Sequence, residues 1–317
     1  MDDKRNQEFQ ATNMLNNKNI IRNILLGAAF STACLPGIAN DSSVGDDNGT
    51  IVFKRQADIS MDKETLSISE NRIDVDYVFT NNGNTDVMTT IAFPMPPMYF
   101  GYSDHSEIKD FKLLVDGVGI KTNRKLVVLL KDKTDITKKI AALGWSERDL
   151  VTLLETQELP KGKKRLPAEW FDGDEPLFTL NEYFTWQQTF PVGKPVSIHH
   201  SYTPSVTTGV PMPASSLIEG YAKETCMDKS MQAAIKRREG AYGVRWANLR
   251  YILLTANNWQ GPIKDFTLRI KKQSPSDVLS VCFDGELNKV DRSTFEFRQQ
   301  AYRPNRDLSI LFIGNIE

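Results

Sequence analysis

Residues 72–80 read RIDVDYVFT. Ile73, Val75, Tyr77 and Phe79 recur at every second position, and Asp74 and Asp76 fall between them. Successive side chains of a strand point to opposite faces, so this segment predicts a β-strand with one buried apolar face and one wet, charged face. Asn81-Asn82-Gly83-Asn84 follows, a run that tolerates left-handed backbone, and Val87, Thr89, Ile91 and Phe93 alternate on the way back. The pattern predicts a β-hairpin. The return strand runs into Pro94, Pro96 and Pro97, which cannot donate ladder hydrogen bonds and mark a sheet edge or a crossing between sheets.

The same alternation recurs in both directions along the chain. Phe111, Leu113 and Val115 lead into Asp116-Gly117, and Val118, Ile120 and Thr122 lead out, which predicts a second hairpin. Phe184, Trp186, Gln188 and Phe190 share a face within 177–190. Pro191-Val192-Gly193 then turns the chain into 195–202, with Val196, Ile198, His200 and Tyr202 on one side. Further apolar runs near 251–254, 266–270, 278–283, 295–297 and 308–313 predict more strands. The period changes twice. Asp135 opens a helix to about Leu143, and Ser146 with Asp149 forms a capping box for a second, an insertion spanning 135–157. A third helix is expected over 218–238, with Asp228 as an internal cap. The expected class is mainly β: an antiparallel β-sandwich with a short helical insertion and one helix between two β-rich halves. The expected domains are a sandwich at 40–205 and a helix plus second β-rich domain at 206–317, with the Pro/Gly/Ser/Thr-rich stretch 203–217 as boundary.

The first thirty-nine residues read as an address. Lys18 and Arg22 precede the apolar run Ile24–Cys34, and Gly37 and Ala39 are small residues placed for a cut before Asn40. This is the secretory signal pattern, with translation expected to begin at Met14. The apolar run is shorter than the ~20 residues a membrane helix needs, so no transmembrane segment is expected in the mature form. Lipidation at Cys34 is an alternative that lacks the usual Leu three residues before. Export to the periplasm or cell surface follows. Without the leader, Cys226 and Cys282 are an even pair in an oxidising compartment and are expected to bond, with two reduced thiols as the alternative. Such a bridge contributes ~3–5 kcal/mol by restricting the unfolded chain.

Composition narrows the function. The formal charge of the chain is −1, which opposes a polyanion partner such as nucleic acid. Lys161, Lys163, Lys164 and Arg165 form one basic run, read as a solvated loop. The histidines are His105, His199 and His200; the last two are adjacent in a strand and face opposite ways, so they do not share a metal. No cofactor is expected. Asp104-His105-Ser106 has the residue types of a catalytic triad but, being contiguous, not its geometry. Glu169, Asp172 and Asp174 surround Trp170 in a long loop, the materials of a glycan-directed hydrolase. The plainer reading is an aromatic anchor under an acidic loop. Trp259, beside Asn258, sits in another loop, where an exposed indole offers a stacking surface; the plainer reading is again a loop anchor.

Taken in order, Asn40-Asp41-Ser42-Ser43, Ala92–Pro96, His200-Ser201-Tyr202-Thr203-Pro204 and NNWQGPIKDFTL at Asn257–Leu268 resemble a secreted bacterial family, domain of unknown function 4424. The paired Cys226 and Cys282 fit it as well. The resemblance implies a periplasmic or envelope location and supplies no catalytic residues. A fainter likeness, of fold only, is to the VIT domain. The expected role is a non-catalytic envelope protein that binds a protein or envelope glycan through Trp170, Asn258 and Trp259; the alternative is the hydrolase.

Overall fold

A computed structural model of the chain describes residues 42–47, 50–53, 55–95, 97–100 and 108–315. The expected leader, Cys34 and the Asp104–Ser106 run lie outside the described residues. In chain order the strands are β1 (Ser42–Asp47), β2 (Thr50–Phe53), β3 (Ile59–Ile68), β4 (Ile73–Asn81), β5 (Val87–Pro94), β6 (Lys109–Val115), β7 (Val118–Gly119) and β8 (Asn123–Leu130). Helices α1 (Thr137–Ala142) and α2 (Glu147–Thr156) come next. They lead to β9 (Phe171–Asp172), β10 (Glu175–Pro176), β11 (Phe178–Phe190), β12 (Pro195–Thr203) and β13 (Thr207–Thr208). After α3 (Ala214–Tyr221) and α4 (Lys229–Lys236) the chain finishes with β14 (Arg245–Tyr251), β15 (Ile263–Lys271), β16 (Val278–Cys282), β17 (Asn288–Lys289), β18 (Thr294–Tyr302) and β19 (Leu308–Gly314).

These strands form an eight-stranded sheet ordered β17-β18-β15-β3-β4-β12-β6-β7, a five-stranded sheet β2-β1-β5-β11-β8, a four-stranded sheet β13-β14-β19-β16, and the small ribbon β9–β10. The mainly antiparallel, sandwich-like reading holds. One core joins the apolar face of the largest sheet (Leu66, Val75, Tyr77, Phe79, Phe266, Leu268) to both smaller ones. The five-stranded sheet contributes Ile91, Phe93, Trp186 and Phe190; the four-stranded sheet contributes Leu249, Tyr251, Ile310 and Phe312. The alternation of RIDVDYVFT is realised as read, with Ile73, Val75, Tyr77 and Phe79 buried and Asp76 exposed.

Burial on one face or two explains the differing strand patterns. Strand β19 is buried on both: Leu308, Ile310 and Phe312 enter the main core, while Leu311 and Ile313 meet α3 and α4. Its sequence LSILFI is therefore an almost continuous apolar run. In β11 the even-numbered positions share a face, and the strand is long enough to serve two clusters. Phe178 and Leu180 meet the α1–α2 insertion, and Trp186 and Phe190 meet the main core.

The chain departs from the expected pairing in three places. Strands β4 and β5 do not form a hairpin: β4 pairs with β3 and β12, whereas β5 pairs with β1 and β11. The turn after β4 carries the chain from one sheet to another. The turn at Pro191–Gly193 does the same between β11 and β12. Second, β15 lies beside β3 in a parallel pair, so the largest sheet takes strands from both sides of the boundary expected at 205/206. Third, the helix expected over 218–238 is two helices. Cys226 adopts φ +54°, which a continuous helix cannot contain, and Asp228 caps α4 by accepting the Met231 N–H at 2.7 Å. The Asp116-Gly117 hairpin forms as expected, with both residues at positive φ (+49° and +78°). So does the Ser146–Asp149 capping box on α2.

Candidate functional site

The face of the eight-stranded sheet opposite the core carries the alternate side chains. Pairing register places one from each of six strands in a row: Arg298 (β18), Thr267 (β15), Thr65 (β3), Asp76 (β4), His199 (β12) and Leu114 (β6). A hollow of about 480 Å³ lies over this row, lined also by Lys63, Val78, Ser197 and Arg269. It rests on a rigid floor, because the same strands bury Leu66, Tyr77 and Leu268 beneath it.

Most charges of this face are arranged in pairs. His199 Nδ1 lies 2.8 Å from the Asp76 carboxylate. Arg298 grips Asp265 through two contacts, at 3.0 and 3.3 Å, and Gln300 donates to the same carboxylate at 2.9 Å. The Arg298 guanidinium holds the Asp265 carboxyl below the usual range and is itself pushed up by it. Arg269 donates to Glu296 at 2.7 Å. Ion pairs this exposed contribute little to stability. Their effect is to leave the hollow with balanced charge, set among the hydroxyls of Thr65, Thr267 and Ser197.

His199 and Asp76 form a dyad of general-base type. The nearest same-face hydroxyl on its strand, Ser197, is two residues away, roughly 7 Å along a strand, beyond direct proton transfer. Ser197 instead donates its backbone N–H to Asp116 at 2.8 Å. His200 faces the core among Tyr77, Phe93, Phe111 and Tyr202. Among the described residues no group of three or more His, Cys, Asp or Glu side chains could hold a metal ion. None of the described helices is long and apolar enough to cross a membrane.

Of the three residues expected to form a recognition surface, two are not at the surface, and the two indoles belong to different clusters. Trp170 closes a 3₁₀ turn (Ala168–Trp170) and is 6% exposed, packed in the helical cluster with Trp145, Leu154 and Phe178. Trp259 is 2% exposed and belongs to the main core, its ring 4.5 Å from Phe79 and 6.0 Å from Phe190. Asn258 ends the 3₁₀ turn Leu254–Asn258, and its carbonyl accepts the Gln56 N–H at 2.7 Å.

The acids around Trp170 face solvent. Asp172 lies opposite Glu175 in the β9–β10 ribbon, and Asp174 is held by Arg165 at 2.6 Å, with its side chain 95% exposed. Arg165 also sits 5.4 Å over the Phe171 ring. Glu169, Asp172 and Asp174 do not line the hollow. The buried Trp170 offers no stacking platform beside them. The hollow itself was half legible. The alternation exposes Asp74, Asp76 and His199, but the neighbours that complete the row come from β15 and β18, almost two hundred residues further on.

Comparison with known proteins gives limited similarity at the level of structure. A Legionella pneumophila protein described as a candidate nutrient binding protein aligns over 86% of this chain and 70% of its own, at 15% identity and a TM-score of 0.48. The M1 zinc metallopeptidase of Deinococcus radiodurans aligns at 7% identity with a TM-score of 0.30, and yeast LTA4 hydrolase with bestatin at 11% and 0.33. Each covers 82% of this chain, which in turn spans 43% and 29% of theirs. No curated protein matches the chain. The family model for the domain of unknown function DUF4424 matches residues 39–311, nearly all of the strand-bearing sequence described above, and the chain belongs to that family.

Proposed function

We propose that this chain is an exported, non-catalytic envelope protein that binds a partner protein through the outer face of its eight-stranded sheet. The observation that carries the reading is the hollow over the Arg298–His199 row, a concave site on a rigid floor. Its histidine and both arginines are already paired with carboxylates, so it suits a neutral, polar surface with its own donors and acceptors rather than a polyanion. An envelope glycan is the other ligand of matching polarity, but the lining lacks an aromatic platform: Tyr77 turns its ring into the core. The leader-like sequence and the Cys226–Cys282 bridge both support an oxidising compartment.

The test fills the hollow. Wild-type protein and a Thr65→Trp variant are used to capture partners from envelope extracts and are applied to a glycan array. A recurrent protein captured by wild type and lost with Thr65→Trp supports the reading. Equal capture by both moves the interface elsewhere, and glycan binding without protein capture replaces the partner class.

A further inference from the structure

Cys226 and Cys282 form a disulfide that ties the α3–α4 connection to strand β16. Their sulfurs differ. Cys226 is exposed and adopts φ +54°, an uncommon conformation for a residue other than glycine, whereas Cys282 is buried at the end of β16. Arg306 Nη1 lies 3.2 Å from the Cys282 sulfur and 3.9 Å from that of Cys226. On its other side the guanidinium meets Asp284 at 3.1 Å. The bridge therefore has one sulfur open to attack and one beside a cation, the arrangement that eases departure of a thiolate.

We propose that this bridge is a thiol–disulfide exchange site for an external dithiol of the Cys-X-X-Cys type. The incoming thiolate attacks the Cys226 sulfur and forms a mixed disulfide. The Cys226–Cys282 bond breaks, and its electron pair leaves on Cys282 as a thiolate held by Arg306. The second thiolate of the dithiol then attacks its own partner sulfur and releases Cys226. The dithiol ends as a disulfide, and two electrons have passed to the bridge. The two protons that the dithiol gives up are balanced by those the cysteines take from solvent. The surrounding structure can survive the opened bond. Ser280 Oγ still donates to the Thr225 carbonyl at 2.9 Å, and α3 and α4 stay packed through Leu217 and Ile235 against Leu311.

The experiment uses the oxidised full chain without denaturant and a Cys-X-X-Cys oxidoreductase whose resolving cysteine is replaced by serine. Acid quenching and peptide mapping locate the trapped adduct and distinguish it from Cys34. The expected adduct is on Cys226. Its rate of formation should fall about tenfold in Arg306→Met, which removes the charge beside the leaving sulfur, and rise a few-fold in Asp284→Asn, which frees that charge. Circular dichroism reports whether each variant is folded. If Arg306→Met is not, the adduct position and the Asp284→Asn rate decide. An adduct on Cys282, a bridge reducible only in denaturant, or rates unmoved in the folded variants would overturn the assignment.

Discussion

Two turns in this protein look alike in sequence and do opposite things. Asp116-Gly117 closes β6 onto β7 with both residues in left-handed backbone, as a tight hairpin requires. Asn82-Gly83 follows β4 with the same kind of dipeptide, yet neither residue has positive φ, and the chain crosses to another sheet. There the Asn81 side chain does the turning. It accepts the Gly83 N–H at 2.9 Å and donates to the carbonyls of Thr85 and Phe190, both at 2.8 Å. The second crossing docks on the first, with Val192 N–H bound to Asp86 at 2.9 Å and Gly193 N–H to the Asn81 carbonyl at 2.8 Å. Turn chemistry thus says where a chain reverses, and the packing of the strands on either side says whether it reverses within a sheet or between two.

Five substitutions probe that contrast. The largest effect is expected from Phe190→Ala. This fully buried ring lies edge-on to Phe79 across the crossing, 5.8 Å away, and its loss should cost about 3–5 kcal/mol in urea denaturation. Asn81→Ala leaves the buried Phe190 carbonyl without this donor and removes the bonds to Thr85 and Gly83, and should cost about 2–4 kcal/mol. Asn81→Asp, which still accepts from Gly83 but cannot donate, should lose most of the same stability. A cost near zero for both would mean that the crossing does not depend on this side chain. Gly117→Ala meets open space but needs φ +78°, so about 1 kcal/mol is expected from backbone strain alone. The smallest effect belongs to Asp86→Ala, which removes one exposed hydrogen bond to Val192, about 0.5–1 kcal/mol. A Gly117 variant costing more than Asn81→Ala would reverse the order of importance of the two turns.

Local signals were read well where the chemistry is local. The capping box at Ser146 and Asp149 needs only a few residues, and it is present. The pairing of Cys226 with Cys282 follows from parity once the expected leader is set aside, and the bridge is present. The helix over 218–238 was misread because its composition carries no sign that Cys226 would adopt left-handed backbone. Trp170 and Trp259 are buried, as the loop-anchor reading has it, and nothing local told that reading apart from an exposed recognition surface. Periodicity reveals which way a strand residue points, but a 3₁₀ turn of three to five residues has no period from which to infer whether its indole faces water or core.

By itself the sequence determined which segments are strands, which face of each is apolar and where the chain turns, because each of these depends on neighbours a few residues away. Tertiary structure alone decided that β15 would lie parallel to β3, that β4 and β5 would part into different sheets, and that hydroxyls and paired charges from six strands would line one hollow. Every strand offers the same backbone donors and acceptors along its edges, so hydrogen bonding does not choose partners. The choice falls to the burial of apolar faces against one another, and that is settled among residues as far apart as Ile59 and Phe312.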